Sequence, residues 1–282
     1  MKGNSLLLNC VFTRNTFEVL LKGQRNDTYN AAIKRYTKST KNKSNLQLIG
    51  EIYEHLDENY RNEYFYKNTL LNKLLLGKHS LRTTTALTEV PIAHSKADFV
   101  LVNGKAVVYE IKTELDNFDR LNTQIADYYK AFSYVSVVAS ESNYSSLKVK
   151  LANPSVGIYV LTHRNQLSER RKPIEDRDNL DPSTIFKILR KKEYESILLD
   201  YFGTLPEVDQ FKYYRACRDL FSRIDIDSSY KSFLMQLKMR ANVNEHLYAS
   251  VPYELRFLIY FLDLREEDYT KLEAFLGSEP GG

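Results

Sequence analysis

Asn103-Gly104 sits between two apolar runs, residues 97–102 (ADFVLV) and 105–112 (KAVVYEIK). A flanked Asn-Gly pair is a strong hairpin signal, because both residues tolerate the left-handed backbone that a tight antiparallel turn demands. That feature commits the middle of the chain to paired strands and excludes an all-helical protein. Residues 85–93 (TALTEVPIA) alternate like another strand, joined to the pair by the polar His94-Ser95-Lys96, so three strands follow in meander order. Leu121, Ile125, Tyr128, Tyr129 and Phe132 then recur at helical spacing over 121–132, and residues 135–139 and 156–161 read as two more buried strands. The order β-β-β-α-β-β predicts a mixed α/β sheet with a crossover helix.

On either side of this core the period is helical. A short helix fits 5–21, and 45–76 is densely patterned, with Leu46, Ile49, Ile52, Tyr53 and Leu56 followed by Leu70, Leu71, Leu74 and Leu75. Between them, residues 22–44 hold seven Lys/Arg against the single acid Asp27, and read as a solvated basic linker. Beyond Pro182 strand signals mostly stop, and 186–201, 211–224, 228–239, 252–261 and 266–276 favour helices. The expected organisation is an N-terminal segment with linker (1–44), a core (45–165), a helical C-terminal subdomain (180–276) and a disordered tail (277–282). The run 163–178 mixes both signs and reads as a mobile surface loop, with Arg164, Arg170, Arg171 and Lys172 available to a polyanion.

Composition narrows the class. Over 282 residues, 43% apolar and 27% charged content is ordinary for a soluble globular protein and excludes wholesale disorder. No run approaches the roughly 18 apolar residues of a membrane helix, and the first residues do not read as a signal peptide. Only Cys10 and Cys217 are present, which excludes a disulfide scaffold or a Cys-rich zinc site and suits the cytoplasm. A net charge of +4 neither demands nor opposes a nucleic-acid partner, and the 21 tyrosines read chiefly as packing residues.

The chemistry concentrates between Glu89 and Tyr128. Asp98 begins one hairpin strand and Glu110-Ile111-Lys112 ends the other, so the turn brings them together. Alternation puts Glu110 and Lys112 on one face and Ile111 on the other. Two carboxylates a few ångströms apart repel unless a cation or proton intervenes. Oxygen ligation without nearby Cys favours Mg²⁺ or Mn²⁺, with the Ile111 carbonyl as a further ligand. Lys112 is placed to orient an attacking water or offset charge on a phosphodiester transition state. An isolated ExK at a strand end is ordinarily a surface ion pair; the apolar AVVY before Glu110 argues for a buried one.

Asp98 and Glu110-Ile111-Lys112 flanking a hairpin resemble the PD-(D/E)XK nuclease superfamily. The resemblance is closest to a bacterial and phage branch with the pattern SKAD, VNG, YEIK, ELDNFDRL, here Ser95–Asp98, Val102–Gly104, Tyr109–Lys112 and Glu114–Leu121. It covers about residues 60–140, and Ala97 stands where the superfamily usually has proline. Gln124 and Tyr128, four apart on one helix face, resemble the QxxxY element that follows the catalytic strand in RecB-type nuclease domains. The superfamily often adds an acid from its first core helix. Glu63 matches that position, with an exposed Glu63–Lys67 pair as the alternative, and Glu89 competes for the role.

The resemblance implies a restriction-endonuclease-like fold and a cytoplasmic, Mg²⁺- or Mn²⁺-dependent deoxyribonuclease, with RNA not excluded. Asp98, Glu110, Lys112, Glu63, Gln124 and Tyr128 would form the site, and Asp98, Glu110, Ile111 and Glu89 would hold the metal. The second reading is a nuclease-fold binding or regulatory module whose C-terminal helices engage a protein partner or a second copy, with no membrane involved. His94 reads as a solvated turn residue, and Glu114, Asp116 and Asp119 as caps of the following helix.

Overall fold

The computed structural model describes residues 2–77, 80–240 and 243–280, with side chains from residue 6 onward. The chain divides into two compact units, one formed by Met1–Arg82 with Asn242–Gly282, the other by Thr83–Ala241. This differs from the division expected from sequence. The helices between 182 and 238 share a core with the sheet, and those after 242 join the N-terminal helices.

The sheet unit is a mixed α/β structure. Its strands are β1 (Thr85–Ile92), β2 (Ser95–Asn103), β3 (Lys105–Lys112), β4 (Tyr134–Ser140), β5 (Gly157–Leu161) and β6 (Leu167–Arg171), hydrogen-bonded in that order. β1, β2 and β3 pair antiparallel, β3 with β4 and β4 with β5 parallel, and β5 with β6 antiparallel. The hairpin register places Asn103 opposite Lys105, with Gly104 at the tip at φ 68°, where a Cβ would be strained. The parallel steps need crossovers, supplied by α6 (Leu121–Tyr129) and α7 (Tyr144–Lys150).

α8 (Pro182–Ile188), α9 (Lys191–Phe202), α10 (Gln210–Phe221) and α11 (Ile226–Lys238) complete this unit. Val100, Val108 and Val137 of the sheet share one buried cluster with Ile125, Tyr128 and Phe132, and with Phe186, Ile197, Phe221 and Phe233 of these helices. At roughly 1.5–3 kcal/mol per fully buried large side chain, that apolar face is the main reason the layers hold together.

Two expectations fail here. The run 163–178 is not a loop throughout, since Leu167–Arg171 adds β6 to the sheet edge. One helix over 186–201 is instead two, because Leu189 leaves helical geometry at ψ 138° before α9 begins.

The other unit is helical: α1 (Lys2–Val11), α2 (Arg14–Leu21), α3 (Asp27–Tyr36), α4 (Asn45–Asn59) and α5 (Glu63–Leu70), which runs into a π-helical turn (Leu71–Leu76). α12 (Glu245–Ala249), a 3₁₀ turn (Tyr253–Leu255), α13 (Arg256–Leu262) and α14 (Glu266–Gly277) return to it. The basic stretch 22–44 is no bare linker: α3 buries Tyr29, Ala32 and Ile33 and is capped by Asn26. α4 starts with a Ser44–Gln47 capping box.

The two segments of this unit are joined by specific bonds. Asn45 donates its backbone N–H to the Ser278 carbonyl (2.8 Å) and its amide to the Phe275 carbonyl (3.0 Å). Asn68, fully buried, donates to Tyr53 Oη and the Tyr253 carbonyl and accepts from the Phe257 N–H, each at 2.9 Å. Gly277 therefore closes a helix where a disordered tail was expected; of that tail, residues 281–282 lie outside the described residues. Among the described residues no helix is long and apolar enough to cross a membrane.

Candidate active site at the end of the central hairpin

β3 carries Glu110 and Lys112 on one face, as alternation requires. Lys112 Nζ stands 2.9 Å from Glu110 Oε1, and both are buried, Glu110 at 2% exposure. An exposed ExK pair would contribute little, whereas this one has left water and needs further partners to offset the desolvation. Two come from α6, one turn apart on its sheet-facing side. Gln124 Oε1 accepts from Lys112 Nζ at 3.0 Å, and the Tyr128 hydroxyl donates to Glu110 Oε2 at 2.5 Å. The same hydroxyl lies 3.0 Å from the Lys96 carbonyl oxygen, so one proton serves two acceptors. Burial, then the Glu110 and Asp98 charges, push the Tyr128 hydroxyl far above its ordinary range and keep it a donor.

Asp98 joins this group through the backbone. Its Oδ2 accepts from the Ile111 N–H at 2.8 Å, which ties β2 to the residue between Glu110 and Lys112. The β1–β2 register sets Glu89 across from Asp98, between the Thr88–Phe99 and Val90–Ala97 pairs. A Glu89 carboxylate oxygen lies within 4.8 Å of one of Asp98. Like charges directly across a strand pair are destabilising. Glu89 offsets this in part by pairing with Lys96, and the Thr88 hydroxyl ties the strands by donating to the Asp98 carbonyl at 2.8 Å. Glu89 also has φ 54°, a left-handed backbone uncommon outside glycine and concentrated at functional sites.

The sequence pattern thus brings Asp98, Glu110, Ile111, Lys112, Gln124, Tyr128 and Glu89 to one end of the sheet. Glu63 opens α5 in the helical unit, where it pairs with Lys67 Nζ at 2.6 Å. Two other expectations are corrected. Asp116 does not cap α6; it accepts from the Thr113 N–H (2.8 Å) and hydroxyl (2.7 Å) and closes the turn after β3. Arg170 pairs with Glu141 at 3.0 Å, and Arg171 donates to the Val156 and Asn153 carbonyls, so both are engaged within the sheet unit.

Asp127 is the residue that sequence reasoning missed. Buried at 3% exposure, it accepts from Ser95 Oγ (2.8 Å), the His94 N–H (3.3 Å) and Lys130 Nζ (2.7 Å). Burial raises its carboxyl, but the Lys130 and Ser95 hydrogen bonds outweigh that and hold it below the usual carboxylate range. It clamps the β1–β2 turn to α6 three residues before Asp98. Its signal was available: it is the one acid in a helix whose neighbours are largely apolar.

The side-chain donors around Asp98 are carboxylate oxygens with neither sulfur nor imidazole among them, a set that suits a hard divalent cation. No curated protein and no solved structure matches the chain. A family model described as bacteriophage P4 protein cII matches residues 56–254, well over half of the chain and inclusive of every candidate site residue. The chain belongs to the bacteriophage P4 protein cII family.

Proposed function

We propose that this protein is a phage-associated, Mg²⁺- or Mn²⁺-dependent nuclease of the PD-(D/E)XK type that hydrolyses phosphodiester bonds of DNA. The observation that carries the reading is the buried Glu110–Lys112 pair, with Asp98 fastened to the Ile111 N–H and Gln124 and Tyr128 holding the pair from α6. A surface ion pair needs no such support, and a buried one is seldom worth its desolvation for stability alone.

In this reading Asp98 and Glu110 hold the cation, with the Ile111 carbonyl and Glu89 as further oxygen donors. The bound cation supplies Lewis acidity at the phosphate and lowers the pKa of water beside it. Lys112 orients the attacking water and offsets the negative charge that develops on the phosphate oxygens. Gln124 fixes the Lys112 ammonium, Tyr128 fixes the Glu110 carboxylate, and Asp127 sets the strand that presents Asp98.

The test is a cleavage screen with Mg²⁺ or Mn²⁺ against EDTA on linear, supercoiled and single-stranded DNA and on RNA. Metal-dependent cleavage that Asp98→Asn abolishes is the expected result, since an amide oxygen is a far poorer ligand for these ions than a carboxylate. Cleavage of RNA alone would move the substrate class. No cleavage of any substrate by the wild-type protein with either metal would overturn the reading.

A further inference from the structure

Residues 31–44, from the second half of α3 to the start of α4, contain Lys34, Arg35, Lys38, Lys41 and Lys43 and no acid. Lys43 pairs with Glu51. The other four are exposed, and none of them forms an ion pair among the described residues. Lys34 and Arg35 complement the C-terminal end of the α3 dipole, which would account for two charges. Lys38 and Lys41 lie outside any helix; Lys38 donates its backbone N–H to Glu51 at 3.2 Å and its charge helps hold that carboxyl low, while Lys41 has no such role. Beside them Tyr36 packs on the His55 ring, with centroids 4.7 Å apart, and the Arg35 guanidinium sits 5.9 Å from the Tyr36 centroid.

We infer that this face of the helical unit is a second nucleic-acid contact, reading the phosphate backbone without regard to sequence. Exposed cations beside an aromatic ring are the features such surfaces combine. An anionic membrane is the poorer fit, because an interfacial helix needs exposed apolar residues and α3 buries Tyr29, Ala32 and Ile33 inside the unit. The inference shares only the ligand class with the nuclease reading, and either can fail alone.

The experiment is fluorescence anisotropy of the full chain with a labelled 30-nucleotide DNA, single-stranded and duplex, in EDTA so that no cleavage follows. A variant carrying Lys34→Gln, Arg35→Gln, Lys38→Gln and Lys41→Gln should lose affinity at least tenfold near 0.1 M salt. The slope of log K against log salt should shrink by up to about 3, given roughly 0.7–0.9 per phosphate contact. In the wild-type protein, bound DNA should protect Lys34, Lys38 and Lys41 from acetylation, which tests the surface without any substitution. Equal binding by wild type and variant, or no protection, overturns the inference and leaves the nuclease reading standing. Tighter binding to phosphatidylserine vesicles than to either DNA, lost in the variant, would also overturn it by reassigning the surface to lipid. Variant-sensitive DNA binding without any metal-dependent cleavage sustains this inference while the nuclease reading fails.

Discussion

Replacing Lys112 with methionine tests whether the ExK pair is a desolvated unit. Among the described residues Lys112 Nζ and the Tyr128 hydroxyl hold the Glu110 carboxylate, and Glu110 is almost wholly buried. Removing one partner of a buried pair costs about 3–5 kcal/mol, because the remaining charge is left uncompensated. Lys112 keeps 11% side-chain exposure and Tyr128 still donates, so the low end, about 3 kcal/mol, is expected. Adding Glu110→Gln removes the orphaned charge, so the double variant should be more stable than Lys112→Met alone, a coupling of about 1–3 kcal/mol. Mn²⁺ should rescue Lys112→Met by about 2.7 kcal/mol at a hundred times its dissociation constant, and should rescue the double variant less. Urea unfolding, with hydrogen exchange read on β3 and β4 peptides to isolate the sheet unit, measures all of this. A Lys112→Met protein within about 0.5 kcal/mol of wild type would refute the reasoning, since the pair would then be solvent-screened.

Tyr128→Phe deletes the donor to Glu110 Oε2 and should cost about 1.5–3 kcal/mol in the same unfolding assay, with metal binding retained. Asp127→Ala should release the β1–β2 turn, seen as faster exchange of the His94 and Ser95 amides, and should lower kcat for cleavage with little change in KM. Its carboxylate is held below the usual range, so the stability it contributes is present above the unfolded pKa near 4 and is lost as pH falls through the lower folded value. At the other extreme, burial raises Tyr29, Tyr53, Tyr109, Tyr128, Tyr159 and Tyr248 above the ordinary tyrosine value. Above about pH 10 the unfolded chain ionises these groups first, so stability should fall by up to about 1.4 kcal/mol per pH unit per tyrosine. Flat stability from pH 9 to 11.5 would contradict that.

The central hairpin was legible because three signals agree there: an Asn-Gly turn, alternation, and apolar runs of strand length. β3 matches its expected bounds for that reason. Alternation also gave the Glu110–Lys112 face, and the resemblance to the QxxxY element pointed to Gln124 and Tyr128. What escaped was weakly patterned. β6 reads LSERR, an edge strand with no apolar period, and is held by pairing to β5 instead. α3 hides three buried residues among basic ones, and α7 buries only Leu147. The unit boundaries escaped for another reason. Periodicity states that a helix such as α10 buries a face through Cys217 and Phe221, and is silent on which distant segment covers it.

The helical unit is assembled from two stretches separated by the whole sheet unit, about 160 residues. Joining the Asn45 region to Phe275 and Ser278 across an unfolded intervening chain carries a closure entropy of about 4–5 kcal/mol at that length. Once the sheet unit has folded, its two ends are tied by the Thr85 hydroxyl donating to the Lys238 carbonyl at 2.6 Å, and the effective loop is far shorter. On the ribosome the order is imposed in the same direction, since Thr83–Ala241 emerges complete while α2 and α4 still lack α14. Until translation passes Ser278, Phe17 and Tyr29 lack the Phe275 ring they pack against in the finished unit. The nascent chain would thus carry a finished sheet unit attached to an unfinished helical one.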